Sequence, residues 1–398
     1  MHLLLIHQNF PGQFRDLAPA WLQQGHQVTA LGSAQAPTDS RRWEGLTYLR
    51  YELPGDDNPS VLARGQAVAA ACQQLQRNGT TPDVVLVHSG WGEARNLRDI
   101  FPRTPLVVFP ELWGHPQALG YGFDHHLEGQ TANPLWFEHQ NQLSADAIQA
   151  SDAAVVSCEA QAQSFPSELQ AQLTVLPEGL EIERYGSNPS ASVSLNGQRF
   201  AAGDPLVTVV SRTLEPLRGI RQTLLAWPAI ARAVPDAQLL LVGEPGQSYG
   251  IEPPPDGHTH LSASLAALPA DIDQSRVHRL GWQDHSKMVQ LLQCSACHLG
   301  LSYPYTLSWS LLEAMACAAP LITNHGSPVA TELIDSQSGV LVPFNNVERL
   351  AQAAITILRD PLQRHQLGGQ ARAVIETRFS CSTSLTSFSQ LFEQLTQP

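Results

Sequence analysis

Two arginines, Arg212 and Arg218, lie in the run S-R-T-L-E-P-L-R-G between an apolar stretch at 206–210 and a helix-forming stretch from 219. A guanidinium is planar, always charged, and grips a phosphate through paired N–H donors. Two of them flanking a strand-to-helix loop, with Ser211 opening it, suit a phosphate ligand. The alternative is a pair of surface ion pairs, each worth under about 1 kcal/mol. A second stretch, Tyr305-Thr306-Leu307-Ser308, precedes a helix expected at about 309–317. Helix starts carry unpaired N–H groups and a partial positive charge, so this turn is a ready anion site. Glu313 sits inside that helix. With Ser310 it fits S-x-x-E, in which the acid would only close the first helical turn; otherwise its carboxylate is available to a ligand hydroxyl.

Other polar residues stand at expected strand ends. Glu111 follows the apolar run 105–110, where a carboxylate can orient a hydroxyl or act as a base, or simply serve as a helix-start acid. His88 and Trp91 lie in H-S-G-W-G-E after the run 83–88; the histidine either caps a strand or meets substrate, and the indole either stacks on a sugar or packs. His115 lies just beyond Glu111, and Trp282 follows the strand expected near 277–280. Gly12 sits in the first strand-to-helix loop, where a glycine permits close approach.

Three patterns invite metal or haem readings and are set aside. His125-His126 beside Asp124 and Glu128 has no standard zinc spacing, and is read as a solvated polar loop. Asp271-Ile-Asp273 is read as a solvated turn. Cys294-x-x-Cys297-His298 runs straight into an apolar strand and is read as packing between a helix and that strand. No metal site is expected.

These residues need elements to hold them. Short apolar runs alternate with helix-period stretches through both halves of the chain, which points to an α/β protein with two doubly wound, Rossmann-like domains facing a cleft. The first is expected over residues 1–185, with loops at 37–57 around a strand at 46–51. Residues 186–205, rich in Ser, Gly, Asn and Pro, read as a linker that allows a small hairpin. The second domain spans 206–375, and 376–398 is helical.

A net charge of −13 disfavours nucleic acid and a strong electrostatic hold on anionic lipid. No apolar run approaches a membrane span, and the N-terminal MHLLLIHQNF lacks the features of a secretion signal. Six scattered cysteines fit reduced, buried thiols in a cytoplasmic protein.

The run SLLEAMACAAPLITN, the element SRTLEPLRG, the N-terminal HQNFPGQF loop, HSGWGEA, LPEGLE and GVLVP together resemble the retaining glycosyltransferases of family 4. That resemblance implies the GT-B fold and transfer of a hexosyl unit from a UDP- or GDP-sugar to a glycan, glycolipid or small-molecule acceptor. It implies that Arg212 and Arg218 grip the donor diphosphate, and that Glu313 holds the ribose. Gly12, Ser211, Trp282, Tyr305, Thr306, Leu307 and Ser308 would border the donor, and His88, Trp91 and His115 the acceptor. Glu111, Arg212 and Arg218 are the catalytic candidates. No metal and no cofactor beyond the donor nucleotide-sugar is implied. The last helix would cross back to the first domain. Tyr305 stands where the family usually has a Glu that touches the transferred sugar. That departure supports the alternative of a non-catalytic, nucleotide-sugar-binding or regulatory protein of the same fold.

Overall fold

The structure, a computed structural model, describes residues 1–34, 43–53, 60–250 and 252–397. The chain forms two compact units. One comprises Met1–Gly114, Asn133–Glu181 and Phe379–Pro398; the other comprises His115–Ala132 and Ile182–Arg378.

The first unit is built on a parallel sheet of seven strands: β1 (His2–Ile6), β2 (Gln27–Ser33), β3 (Leu46–Tyr51), β4 (Val84–His88), β5 (Leu106–Phe109), β6 (Ala153–Val156) and β7 (Leu173–Val175). Their order is β3-β2-β1-β4-β5-β6-β7, so the chain reverses its direction of travel between β1 and β4. Leu3 to Ile6 are fully buried, as a central strand covered by helices on both faces requires. The loop residues expected at 37–42 and 54–57 lie outside the described residues.

Helix Cys381–Thr396 belongs to this unit. Ser380 caps it, its Oγ accepting the Thr383 N–H at 3.2 Å. Phe388 and Phe392 place their rings 5.6 and 5.8 Å from Trp21, on helix Leu17–Gln23.

The second unit carries a hairpin, β8 (Ser192–Leu195) and β9 (Gln198–Ala201), where the sequence suggested a linker. The hairpin buries Val193, Leu195 and Phe200, which explains why this stretch is ordered structure of the second unit. A six-stranded parallel sheet follows: β10 (Leu206–Thr213), β11 (Gln238–Glu244), β12 (Val277–Gly281), β13 (Cys297–Leu299), β14 (Leu321–His325) and β15 (Val340–Pro343). The order β12-β11-β10-β13-β14-β15 puts the reversal between β10 and β13. Ligands of open α/β sheets bind at such a point, beyond the carboxyl ends of the strands.

The segment 115–132 was assigned from sequence to the first domain, but it packs with the second unit. Asp124 is buried there, its Oδ2 accepting from Tyr303 Oη at 2.6 Å and from Arg221 Nη1 at 3.3 Å. The Phe123 ring lies 5.8 Å from Tyr303 and 5.1 Å from Phe344. His125, His126 and Glu128 are exposed, as expected of a solvated loop, while Asp124 is buried. Its flanking residues are an anchor, because a buried acid and a phenyl ring point inward.

Candidate active site

The carboxyl end of β10 is irregular. Val210 pairs with Val242 and Thr213 with Glu244, so β10 carries one extra residue around Ser211 and Arg212. A bulge of this kind re-aims side chains at a sheet end. Gly243 makes room for it: its φ is +139°, and a Cβ there would stand 2.2 Å from the Ser211 carbonyl oxygen. The chain then turns through Pro216–Arg218 into helix Ile220–Ala233.

Arg218 reaches across the reversal point. Its Nη1 donates to Ser302 Oγ at 3.2 Å, just past β13. Ser302 is fixed in turn by Asn324 at the end of β14. The Ser302 N–H donates to Asn324 Oδ1 at 2.8 Å, and Asn324 Nδ2 donates to the Ser302 carbonyl at 2.9 Å. The ends of three adjacent strands are thereby joined around one guanidinium. Burial lowers the Arg218 pKa, against the Tyr305 and Tyr249 hydroxyls and Glu215, which raise it. An arginine stays charged in a protein under such opposing influences.

Ser211, Arg218, Thr306 and Ser308 line a single cavity at this point, with Ser302, Ser310, Thr323 and Ser327 adding hydroxyls. It is a small site of mixed lining, with the Arg218 guanidinium and several hydroxyls set among apolar side chains such as Val209, Leu299 and Leu311. Helix Trp309–Ala316 begins at its wall. The Ser308 side chain does not cap that helix; its Oγ meets Ser310 Oγ at 2.9 Å instead. The helix start therefore presents its dipole towards the cavity.

Arg212 and Tyr305 lie outside the lining but next to each other through Tyr249. Arg212 Nη1 donates to Tyr249 Oη at 3.3 Å, and the Tyr249 and Tyr305 rings are 5.5 Å apart. Leu307 is absent from the lining as well. Trp282 is 67% exposed after the edge strand β12, and its N–H donates to Glu244 Oε1 at 3.1 Å.

Glu313 is buried, with Oε1 accepting from Tyr185 Oη at 3.2 Å and lying 3.1 Å from His285 Nε2. Ser308, not Ser310, occupies the N-cap position of this helix, so the capping-box alternative for Glu313 does not hold. Its carboxylate meets a phenol and an imidazole.

The first unit gathers its own polar group where its sheet reverses. The His7 and His88 rings lie 4.8 Å apart at the ends of β1 and β4. Glu111 follows β5 with φ +59°, rare for a residue with a side chain, and such strain tends to occur at functional positions. Its Oε1 accepts from Gln13 Nε2 at 2.9 Å, and its Oε2 lies 3.4 Å from His88 Nε2. Burial alone would lower the His88 pKa, but Glu111, Glu93 and Glu178 outweigh it and raise the value above 6.5. Gly12 has φ +47°, and a Cβ on it would strike the His7 ring at 2.2 Å, so glycine is needed there for packing. Trp91 is 41% exposed. His115 belongs to the segment that packs with the second unit, where burial lowers its pKa. The structure thus does not put His115 in the same unit as His88 and Trp91.

Several residues escaped the sequence reading. Asn324 and Ser302 could have been suspected, as polar residues ending apolar strands. Glu215, Tyr249, Tyr185 and His285 carried no local signal, because each acts on a partner at least 28 residues away. Elsewhere, Cys294, Cys297 and His298 are all buried, and burial pushes His298 down to about 4 while Thr208 Oγ1 meets its Nδ1 at 2.9 Å. Asp273 caps a short turn through the Ser275 N–H, and Asp271 pairs with Arg232 on the surface.

Two family models match along the chain: that described as Glycosyl transferase family 4 group over residues 24–185, and that described as Glycosyl transferases group 1 over residues 195–374. With a doubly wound parallel sheet in each unit, the protein is a GT-B nucleotide-sugar glycosyltransferase and belongs to the family 4, group 1 transferases. Among curated relatives, it is 27% identical over 222 residues to a GDP-mannose-dependent monoacylated alpha-(1-6)-phosphatidylinositol monomannoside mannosyltransferase of Corynebacterium glutamicum. That match spans 52% of each chain. It is 23% identical over 434 residues to glycogen synthase of Mycobacterium tuberculosis, covering 98% of this chain and 94% of the relative. Similar solved structures include sucrose-phosphate synthase from Thermosynechococcus elongatus (TM-score 0.76, 18% identity, 99% of both chains). Anabaena HepE in complex with UDP-glucose also matches (TM-score 0.70, 18% identity, 99% of this chain and 100% of the other).

Proposed function

We propose that the second unit binds a UDP- or GDP-hexose at the ends of β10 and β13, and that the protein transfers the hexosyl unit with retention of configuration and without a metal. One observation carries this reading: Arg218, Ser211, Thr306 and Ser308 border one cavity at the point where the sheet reverses. A diphosphate there would meet a guanidinium, several hydroxyls and the positive end of a helix. Such fixed positive groups stabilise charge as it develops on a departing diphosphate, which lowers the barrier to transfer. They also take over the neutralising role that a divalent ion plays elsewhere, so transfer should persist in a chelator.

Arg212, held by Tyr249 at the edge of the site, would add a second guanidinium to the phosphates. Glu313, with Tyr185 and His285 beside it, is assigned to the ribose hydroxyls. Trp282, solvent-facing after β12, is assigned to the base. In the first unit, His88 and Glu111 form a proton-holding couple suited to an acceptor hydroxyl. Location in the cytoplasm, where nucleotide-sugars are made, fits this chemistry, and among the described residues no helix is long and apolar enough to cross a membrane. The acceptor is proposed as a glycan, glycolipid or small molecule.

The test is transfer or donor hydrolysis by purified protein over a panel of nucleotide-sugars, with anomeric configuration read by NMR. Activity that falls about a hundredfold in Arg212→Ala supports the assignment; unchanged turnover refutes it. A second reading keeps its footing in one feature. Tyr305, in the place of the usual family Glu, packs at a tilt against Tyr249 and offers no carboxylate to the sugar. A protein that binds donor through Arg218 yet neither transfers nor hydrolyses it would be a sensor of nucleotide-sugar.

A further inference from the structure

Glu215 is fully buried and has no part in the donor scheme above. Its Oε1 accepts from Thr213 Oγ1 at 2.9 Å, Ser248 Oγ at 2.8 Å and the Tyr249 N–H at 3.3 Å. Its Oε2 accepts from the Ser248 N–H at 3.2 Å and the Gly250 N–H at 2.8 Å. Three successive backbone N–H groups of the loop after β11 therefore close on one carboxylate. Gly250 is part of the fit, since a Cβ there would stand 2.8 Å from Oε2. Hydrogen bonds to a charged acceptor are the strong kind, and a buried carboxylate that loses them is left at high cost.

The loop so held presents Tyr249. Among the described residues, its hydroxyl is the one partner bonded to Arg212, an otherwise exposed and rotamer-rich side chain. Its ring packs on Tyr305, and both phenols act on the charge of Arg218. A buried acid, a three-residue turn and an aromatic pair thus connect the two arginines at one edge of the cavity.

We propose that Glu215 is a positioning residue: it folds the Ser248–Gly250 turn so that Tyr249 holds Arg212 ready beside the site of a nucleoside diphosphate. The inference rests on the donor site proposed above. It adds that Arg212 is preorganised through Tyr249, so ordering it costs little when the diphosphate arrives.

The experiment is calorimetric titration with UDP and with GDP of the wild type, Arg212→Ala, Tyr249→Phe and their double variant. Phenylalanine keeps the ring against Tyr305 and removes only the hydroxyl. Arg212→Ala and Tyr249→Phe should each weaken binding by about tenfold. The double variant should bind no more weakly than Arg212→Ala alone, because Tyr249 acts through Arg212. Glu215→Gln, which turns an amide N–H₂ onto backbone N–H donors, and Gly250→Ala should weaken binding as Tyr249→Phe does while leaving a cooperative melt. If Glu215→Gln does not fold, the Tyr249–Arg212 cycle and Gly250→Ala decide the matter. Wild-type binding by Tyr249→Phe, or losses that simply add, overturns this inference and leaves the donor site standing. A wild type that binds neither nucleotide overturns both.

Discussion

At the residue scale, Arg218 is the side chain on which the donor site turns. It is held by Ser302, which Asn324 holds in turn. Arg218→Ala should lower kcat/KM for transfer by about two orders of magnitude, the usual loss when one transition-state donor is removed. Arg218→Lys should recover part of it, since charge is kept and the bidentate fork is lost. His88 gives a pH signature in the first unit. Its folded pKa lies above 6.5 because Glu111, Glu93 and Glu178 prevail over burial. The stability it contributes is therefore full below about pH 6.5 and lost as pH rises through the folded value. The melting temperature of the wild type should fall as pH rises above about 6.5, and Glu111→Gln should flatten that fall. The two arginines and the helix-start turn were legible in the sequence because charge and strand-to-helix spacing are local properties. Asn324 was not recognised, because its role depends on which strands are neighbours.

At the element scale, the bulge at the end of β10 and the glycine that permits it form one device. Gly243 lies against the Ser211 carbonyl with no room for a Cβ. Gly243→Ala should cost about 1–3 kcal/mol by overpacking, and should weaken nucleotide binding by displacing Ser211. A thermal melt with and without UDP checks both, since a ligand that binds the folded state raises its melting point. The helix after Ser308 was legible from its apolar run, and its start at Trp309 decided what S-x-x-E could not. The bulge was invisible beforehand, because pairing register is a property of two strands. The hairpin at 192–201 was only partly legible: its loop-forming residues were plain, while the inward Val193, Leu195 and Phe200 are too few to give a period.

At the scale of the whole molecule, sequence order and spatial order part company twice. Residues 115–132 leave the first unit to pack in the second, and the final helix, Cys381–Thr396, packs in the first. The alternation of strands and helices disclosed two α/β sheets, since each strand is a separate apolar run. It could not disclose the first of these exchanges, which depends on Asp124 and Phe123 finding Tyr303 and Phe344 far along the chain. The final helix supplies aromatic core to the first unit, with Phe388 fully buried against Trp21. Phe388→Ala should destabilise that unit by about 3–5 kcal/mol. In calorimetry, one transition should move down, and the transition that UDP raises should stay in place.

The central claim is that a nucleoside diphosphate is held at the ends of β10 and β13 by Arg218. Calorimetric titration of wild type and Arg218→Ala with UDP, GDP and their hexose conjugates tests it most directly. The account predicts saturable 1:1 binding of at least one of these by the wild type, and at least about tenfold weaker binding in a variant that melts normally. Equal affinity in the two proteins would contradict it, as would a wild type that binds none of them.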